Sequence, residues 1–288
     1  MFSPRLGCLT RRRKFSRKSR EREGRPEPVS AGNRDGLIHF FRYGTLYAYM
    51  CYHMSVTRPL PRLHDYYETS GVEFPVYYHV AAFAYPVVPV VVEGPRVVAA
   101  RWGLIPHWAR DREGAEKIRG RTVNARCETV FEKPSFRDSA RRRRCLIPVD
   151  GFFESHERDR KKYPYYIRHR ADEVFCLAGI WSEWHDRQSE ETVVTFSVVT
   201  TAANAMMAAI HNVKKRMPVI VPPERQDAWI QDAWTDELAP DHAKDFFAMP
   251  DDLPIVAHPV SKLLYKPGVS NVPAVREPFE YPELIESK

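Results

Sequence analysis

The chain has 288 residues, 43% of them hydrophobic and 12% aromatic, and carries a formal charge of +7. It is long and apolar enough to bury a sizeable core, and no run reaches the roughly 20 apolar residues of a membrane-spanning helix. Five cysteines, at 8, 51, 127, 145 and 176, form no C-x-x-C pair and have no histidines at zinc-finger spacing. That argues against a metal site or a disulfide framework and for a reducing compartment.

The charge is concentrated at the start. Residues 1–49 hold 12 of the 44 Lys and Arg but four of the 37 Asp and Glu, leaving the rest near neutral at 32 against 33. Residues 1–35 are rich in Arg, Ser and Pro and cannot bury enough apolar surface to fold, so 1–49 reads as a disordered basic leader. It lacks the uninterrupted apolar stretch of a secretory signal. A misplaced start, a targeting extension and a nucleic-acid-binding tail all remain open for it. Behind it comes Met50-Cys51. If processing removes everything through Met50, Cys51 becomes an N-terminal residue with an α-amine and a thiol on adjacent carbons.

From Val76 onward the pattern is mostly β. Val87–Val92 and Val97–Trp102 flank Glu93-Gly94-Pro95 and read as paired strands. Tyr163–Arg168, Val174–Ile180 and Val193–Thr200, rich in β-branched and aromatic residues, read as further strands. Helical spacing predicts Ala202–His211, with Thr200 or Thr201 as its cap, then Pro223–Ile230 and Asp241–Phe247. Val256–Ser261 is a late strand before a short Pro-rich tail. With no internal repeat and no linker after residue 50, the expectation is one mixed α+β domain.

Residues 101–144 gather 13 basic and six acidic side chains. Such a region is either a solvated surface or a face that follows a phosphate backbone. Among its cations are Arg101, Arg110, Arg112, Lys117, Arg119, Arg121, Arg126 and Arg137, and the run Arg141–Arg144 enters a strand. Asn124, Glu154 and His211 each have a plain reading, as a turn residue, a strand-end ion pair and a helix-terminal histidine. Yet each sits where an apolar segment ends, as site residues on a rigid scaffold do.

Seven segments resemble one family in order: Trp102-Gly-Leu-Ile-Pro-x-Trp108, Asn124-Ala-Arg-x-Glu-Thr129, Lys133-Pro-x-Phe-Arg137, Arg144-Cys-Leu-Ile-Pro148, Gly151-Phe-Phe-Glu154, Ala178-Gly-Ile-Trp181 and Arg216-Met-Pro-Val-Ile220. They are similar to the SOS response-associated peptidase (SRAP) or abasic-site processing family, over about residues 50–286. The resemblance implies an α+β domain with a curved, barrel-like, mainly antiparallel sheet flanked by helices. It also implies binding to single-stranded DNA and covalent cross-linking to abasic sites through a cysteine exposed by loss of the initiator methionine. On the matching positions, Cys51 is the nucleophile, Asn124 positions it and the sugar, and Glu154 and His211 are the proton-handling groups. Arg126, Arg137 and Arg216 are the basic DNA-binding positions, and Trp102 and Trp108 shape the DNA groove. The chain departs from the family in having Tyr52-His53 where Gly-Arg is common after the cysteine, Ser155 in place of a tryptophan, and four residues rather than one between His211 and Arg216.

The chemistry follows from the groups. A neutral α-amine attacks the aldehyde of an open abasic site, water leaves to give a Schiff base, and the adjacent thiol closes a thiazolidine. Glu154 suits the proton shuttle, His211 suits protonation of the ring oxygen, and Asn124 suits orientation. The expectation is lyase-like cross-linking with self-processing peptidase activity. The protein would work as a cytoplasmic, DNA-associated monomer on single-stranded DNA containing abasic sites, without metal or organic cofactor. The rivals are a cysteine peptidase acting on other proteins and a non-catalytic single-strand-binding module.

Overall fold

The structure, a computed structural model, describes residues 51–61, 76–94, 96–231 and 239–285. The expected leader 1–49 and Met50 lie outside the described residues. Strand pairing organises the rest. Five strands close on themselves: β3 (Val87–Val92), β4 (Arg96–Trp102), β6 (Arg144–Val149), β9 (Phe175–Asp186) and β10 (Glu191–Ala202) run in the order β10-β4-β3-β6-β9 and back to β10. Only the β10–β4 pairing in this ring is parallel. Closure removes the exposed edges an open sheet would leave. A second, antiparallel sheet has the order β13 (Ile255–Pro259), β8 (Lys161–His169), β7 (Gly151–Arg158), β1 (His53–Val56), β2 (Tyr77–Ala81).

Period-two alternation decides which face of the barrel wall each side chain takes. Val88, Val90 and Val92 join Cys145, Ile147, Val149 and Leu177 in one core, shared with Met54, Phe152 and Ile167 of the second sheet. Val91, Leu146, Cys176, Ala178 and Ile180 point the other way, toward Trp229 and Phe246. The latter two belong to α4 (Gln226–Gln231) and α5 (Ala239–Phe247). The barrel is therefore packed on both faces. Pro89, which has no N–H to donate, is tolerated because the β3–β6 ladder is confined to Val91 and Leu146.

The paired strands expected at 87–102 are present in antiparallel register. The predicted helix near 202–211 is shorter: β10 extends through Ala202 and the helix, α3, is Ala205–Ile210. Its cap is Asn204, whose side chain accepts from the Met207 amide at 3.0 Å, not Thr200 or Thr201. Two helices in the basic region, α1 (Arg112–Arg119) and α2 (Arg137–Arg142), lack an apolar stripe that would have announced them. Buried Arg144 ends α2 by donating to the carbonyls of Ala140 and Arg141 at 3.1 and 2.8 Å, which also suits the negative end of a helix. No helix among the described residues is long and apolar enough to cross a membrane.

Candidate active site

β10 is the spine of the site. On one edge it pairs in parallel with β4 and then with β5 (Asn124–Arg126), setting Asn124 beside Val198. On the other it pairs with β9 and then with β11 (Arg216–Pro218), setting Arg216 beside Ala202. The second sheet brings the remaining groups. His53 and Met54 of β1 lie opposite Phe153 and Phe152 of β7, so Cys51, just before β1, arrives at Glu154, just beyond Phe153. Gly151 permits this register, because a Cβ there would sit 2.4 Å from the Ile167 carbonyl oxygen and 2.5 Å from the Tyr166 ring. Glu154 thus lies within a strand, not at a strand end.

Four expected groups converge. The Asn124 side-chain amide donates to the Cys51 carbonyl at 3.1 Å. The buried Cys51 thiol faces the Glu154 carboxyl, and His211 Nδ1 lies 3.6 Å from Glu154 Oε2. His211 ends α3, and its Nδ1 is 2.9 Å from the Arg216 carbonyl oxygen. A carbonyl only accepts, so Nδ1 bears the proton and Nε2 is left for other partners. The longer loop after His211 is tied to β7 by Asn212, whose amide accepts from the Glu157 N–H at 2.9 Å and donates to its carbonyl at 2.7 Å.

Burial governs the protonation states. It pushes Glu154 above the usual carboxylate range, with His211, Cys51 and the Ser155 N–H opposing. It also pushes the Cys51 thiol well up, reinforced by Glu154 and opposed by Arg216. The thiol is therefore neutral and the carboxyl able to exchange a proton. Glu154 Oε1 and Asn124 Oδ1 are buried without a hydrogen-bond donor among the described residues. Such unmet acceptors cost about 1–3 kcal/mol each.

Arg216, expected at the DNA, is buried. Its guanidinium forms a bidentate pair with Glu128 and donates to the Thr200 carbonyl at 2.7 Å. Against the opposing effect of partial burial, these bonds hold Glu128 at about 2. The backbone carbonyl of Arg216 holds the His211 ring. Glu128 stood unassigned within the Asn124–Thr129 segment. Trp102 is also not a groove residue: it is 1% exposed, stacks on Phe196 at 5.9 Å and donates its indole N–H to the Val123 carbonyl at 2.8 Å. It supports Asn124 from beneath. Gly103, at φ +104, turns the chain after it where a Cβ would meet Arg119 at 2.5 Å. Trp108 is the exposed tryptophan among the described residues, at 44%, with its indole N–H held by the Pro134 carbonyl at 3.2 Å.

The basic face is partly neutralised at home. Arg112 pairs with Asp186, Lys117 with Glu113, Arg119 with Glu116, Arg126 with Glu128 and Arg137 with Asp138. Arg126 and Arg137 remain about half exposed, with loose contacts of 3.7 Å that a phosphate could replace. Lys117, Arg121 and Lys133, with Ser135, line a cleft of about 370 Å³.

A family model described as SOS response associated peptidase (SRAP) matches residues 50–267. The chain is 36% identical over 193 residues to the abasic site processing protein YoqW of Bacillus subtilis (strain 168), covering 67% of this chain and 77% of that protein. It is 28% identical over 194 residues to the abasic site processing protein HMCES of Xenopus tropicalis, covering 60% and 52%. A crystal structure of a Bacteroides thetaiotaomicron protein matches at a TM-score of 0.71 and 32% identity, over 80% of this chain and all of the other. One from Bordetella bronchiseptica, at 23% identity and a TM-score of 0.60, shares the fold.

Proposed function

The chain belongs to the SOS response associated peptidase (SRAP) family, and from that membership we propose that it is an abasic-site processing enzyme. In this reading it binds single-stranded DNA and joins itself to the open-ring aldehyde of an abasic site through Cys51 as the N-terminal residue. The observation that supports it is the convergence of Cys51, Asn124, Glu154 and His211 around two buried acceptors that lack donors among the described residues. A free α-amine and a sugar hydroxyl are donors of the kind those acceptors require.

The amine attacks the aldehyde carbon, a C–N bond forms and the carbonyl oxygen becomes a hydroxyl. Glu154 passes a proton to that hydroxyl, which leaves as water and gives the imine. The thiol sulfur then adds to the imine carbon while its proton moves to nitrogen, closing the thiazolidine with net loss of one water. A neutral thiol suits this order, since the amine acts first. His211 Nε2, when it carries a second proton while Nδ1–H stays on the Arg216 carbonyl, is the group for protonating the ring oxygen on the way to the aldehyde. Exposure of Cys51 needs hydrolysis of the Met50–Cys51 bond: an N→S acyl shift would move the Met50 acyl group onto the same thiol in cis, freeing the α-amine, and water would then cleave the thioester, releasing the preceding segment as a carboxylic acid and restoring the thiol. Turnover of other proteins has less support, because the thiol faces a carboxyl instead of the imidazole that would deprotonate it.

The test is incubation with single-stranded DNA containing one abasic site, followed by denaturing electrophoresis. A denaturation-resistant adduct is expected from protein whose intact mass begins at Cys51, and none from Cys51→Ser or from protein retaining residues before Cys51. An adduct of equal yield from Cys51→Ser would sink the reading. Steady turnover of an added peptide would favour the peptidase instead.

A further inference from the structure

Resting on the single-strand-binding part of that reading, we propose that the cleft between α1 and the loop at 130–136 is a site for a terminal phosphate, the phosphomonoester that ends a DNA strand. One wall is the end of α1, which brings Lys117 and Arg121 to the cleft. The other is the loop, which brings Lys133 and Ser135, while Ile118 and Phe136 supply an apolar lining. None of the residues lining the cleft is acidic. Free carbonyls at a helix C-terminus would repel an anion, but those nearest the cleft are occupied. The Ile118 carbonyl accepts from the Arg121 N–H at 2.8 Å, and the Arg119 carbonyl accepts from the Thr122 N–H at 3.2 Å.

The loop is held by its own backbone. The Thr129 carbonyl accepts from the Glu132 and Lys133 N–H groups at 3.2 and 3.0 Å, and the Lys133 carbonyl from those of Phe136 and Arg137 at 2.9 Å each. The Pro134 carbonyl is taken by the Trp108 indole. Ser135 is left with an N–H and a hydroxyl that have no partner among the described residues, and the side chains of Arg121 and Lys133 have none either. Lys117 is already paired with Glu113 at 2.5 Å. Two unpaired positive charges therefore line the cleft. A phosphodiester within a strand carries one negative charge, whereas a terminal phosphomonoester carries close to two at pH 7 and offers three strong acceptor oxygens. The charge and the donors, among them the planar fork of Arg121, match the strand end. Thr122 in the cleft wall is two residues before Asn124, at most about 7 Å of chain. A strand with its abasic sugar at Cys51 thus reaches the cleft with an end close by.

The measurement is binding to single strands with a tetrahydrofuran abasic analogue, which has no aldehyde, so cross-linking cannot contribute. The analogue is placed at a ladder of distances from each end, and each end is made as a hydroxyl, a phosphate or a phosphate capped as its methyl ester. Wild-type protein should bind the phosphate-ended strand about tenfold more tightly than the hydroxyl-ended one, at one end and one preferred distance. The capped phosphate, with a single charge, should lose most of that gain. Arg121→Gln and Lys133→Gln change exposed side chains that have no ion pair to break. Each should remove most of the gain, and Lys133→Arg should retain it. No gain at either end at any distance, an equal gain from the capped phosphate, or equal weakening of hydroxyl-ended and phosphate-ended strands by both Gln variants would each overturn the site. A natural abasic strand run in parallel separates the two ideas. An adduct without any gain from the terminal phosphate sinks the cleft and leaves cross-linking standing, and a gain without an adduct does the reverse.

Discussion

On one side of Cys51 stand Asn124, Glu154 and His211, all buried and held by directed hydrogen bonds; on the other stand Tyr52, His53, Phe83 and Tyr265, linked by ring contacts, with Tyr52 buried and Phe83 and Tyr265 partly open to solvent. The polar wall draws on both sheets and on the pair between buried Arg216 and half-exposed Glu128. Each of its groups must find its partner or leave a costly unpaired atom. The aromatic wall is non-directional and tolerates exchange of one ring for another. Chemistry that moves protons needs the first kind of wall.

Removing the support under the polar wall is the largest perturbation. Trp102→Ala deletes a fully buried indole that holds the Val123 carbonyl, and should cost about 3–5 kcal/mol in urea unfolding; a cost below about 1 kcal/mol would mean Asn124 is held from elsewhere. Glu154→Gln keeps the shape but not the proton. Its adduct formation should slow about 100-fold with little change in Tm. Because the raised carboxyl must be protonated to expel water, the wild-type rate should fall as pH rises through the Glu154 pKa. The Gln variant should lack that limb.

Glu128→Gln leaves the buried Arg216 guanidinium without its carboxylate. The expected loss is about 1–2 kcal/mol, at the lower end for a broken charge pair because Glu128 is half open to water. Its carboxyl is held at about 2 against an ordinary 4.5, so the stabilisation is complete above about 4.5 and disappears as pH falls through about 2. Acid unfolding of the variant should be flatter in that window.

The aromatic wall gives the smallest effect. His79, which shares a hydrogen bond of 2.8 Å with His53, is held by burial at about 4 against an ordinary 6.5, so the unfolded chain takes up protons first. Stability is full above about 6.5 and declines as pH falls toward 4. Between pH 7 and pH 6, His79→Gln should lose less stability than wild type, by under about 1 kcal/mol, as read from urea midpoints. An equal loss in both would show that His79 is not buried in its neutral form.

Much of this was legible beforehand. The valine runs of β3 and β4 announced a strand pair, because alternation and a Gly-containing turn are local properties. Cys51, Asn124, Glu154 and His211 were visible as chemical types, and the structure gathers them. The cap of α3 was misplaced at Thr200 and Thr201, since a β-branched run that ends a strand looks the same as one that begins a helix. Arg216 and Trp102 were assigned to the DNA face, and Glu128 was passed over. A charge in a sequence does not reveal whether its partner is water, phosphate or a carboxylate 88 residues away.

The sequence by itself determined the strand-rich character of the domain, the family and the residue types at Cys51, Asn124, Glu154 and His211. Periodicity and residue chemistry are carried within a few neighbouring positions. Only the tertiary structure decided that β9 and β10 close a barrel, that β10 sets Asn124 and Arg216 on its opposite edges, and that the β1–β7 register delivers Cys51 to Glu154. Those outcomes depend on which distant segments exclude water together. The same exclusion raises the pKa of Glu154, buries the Arg216 guanidinium and makes Trp102 part of the core.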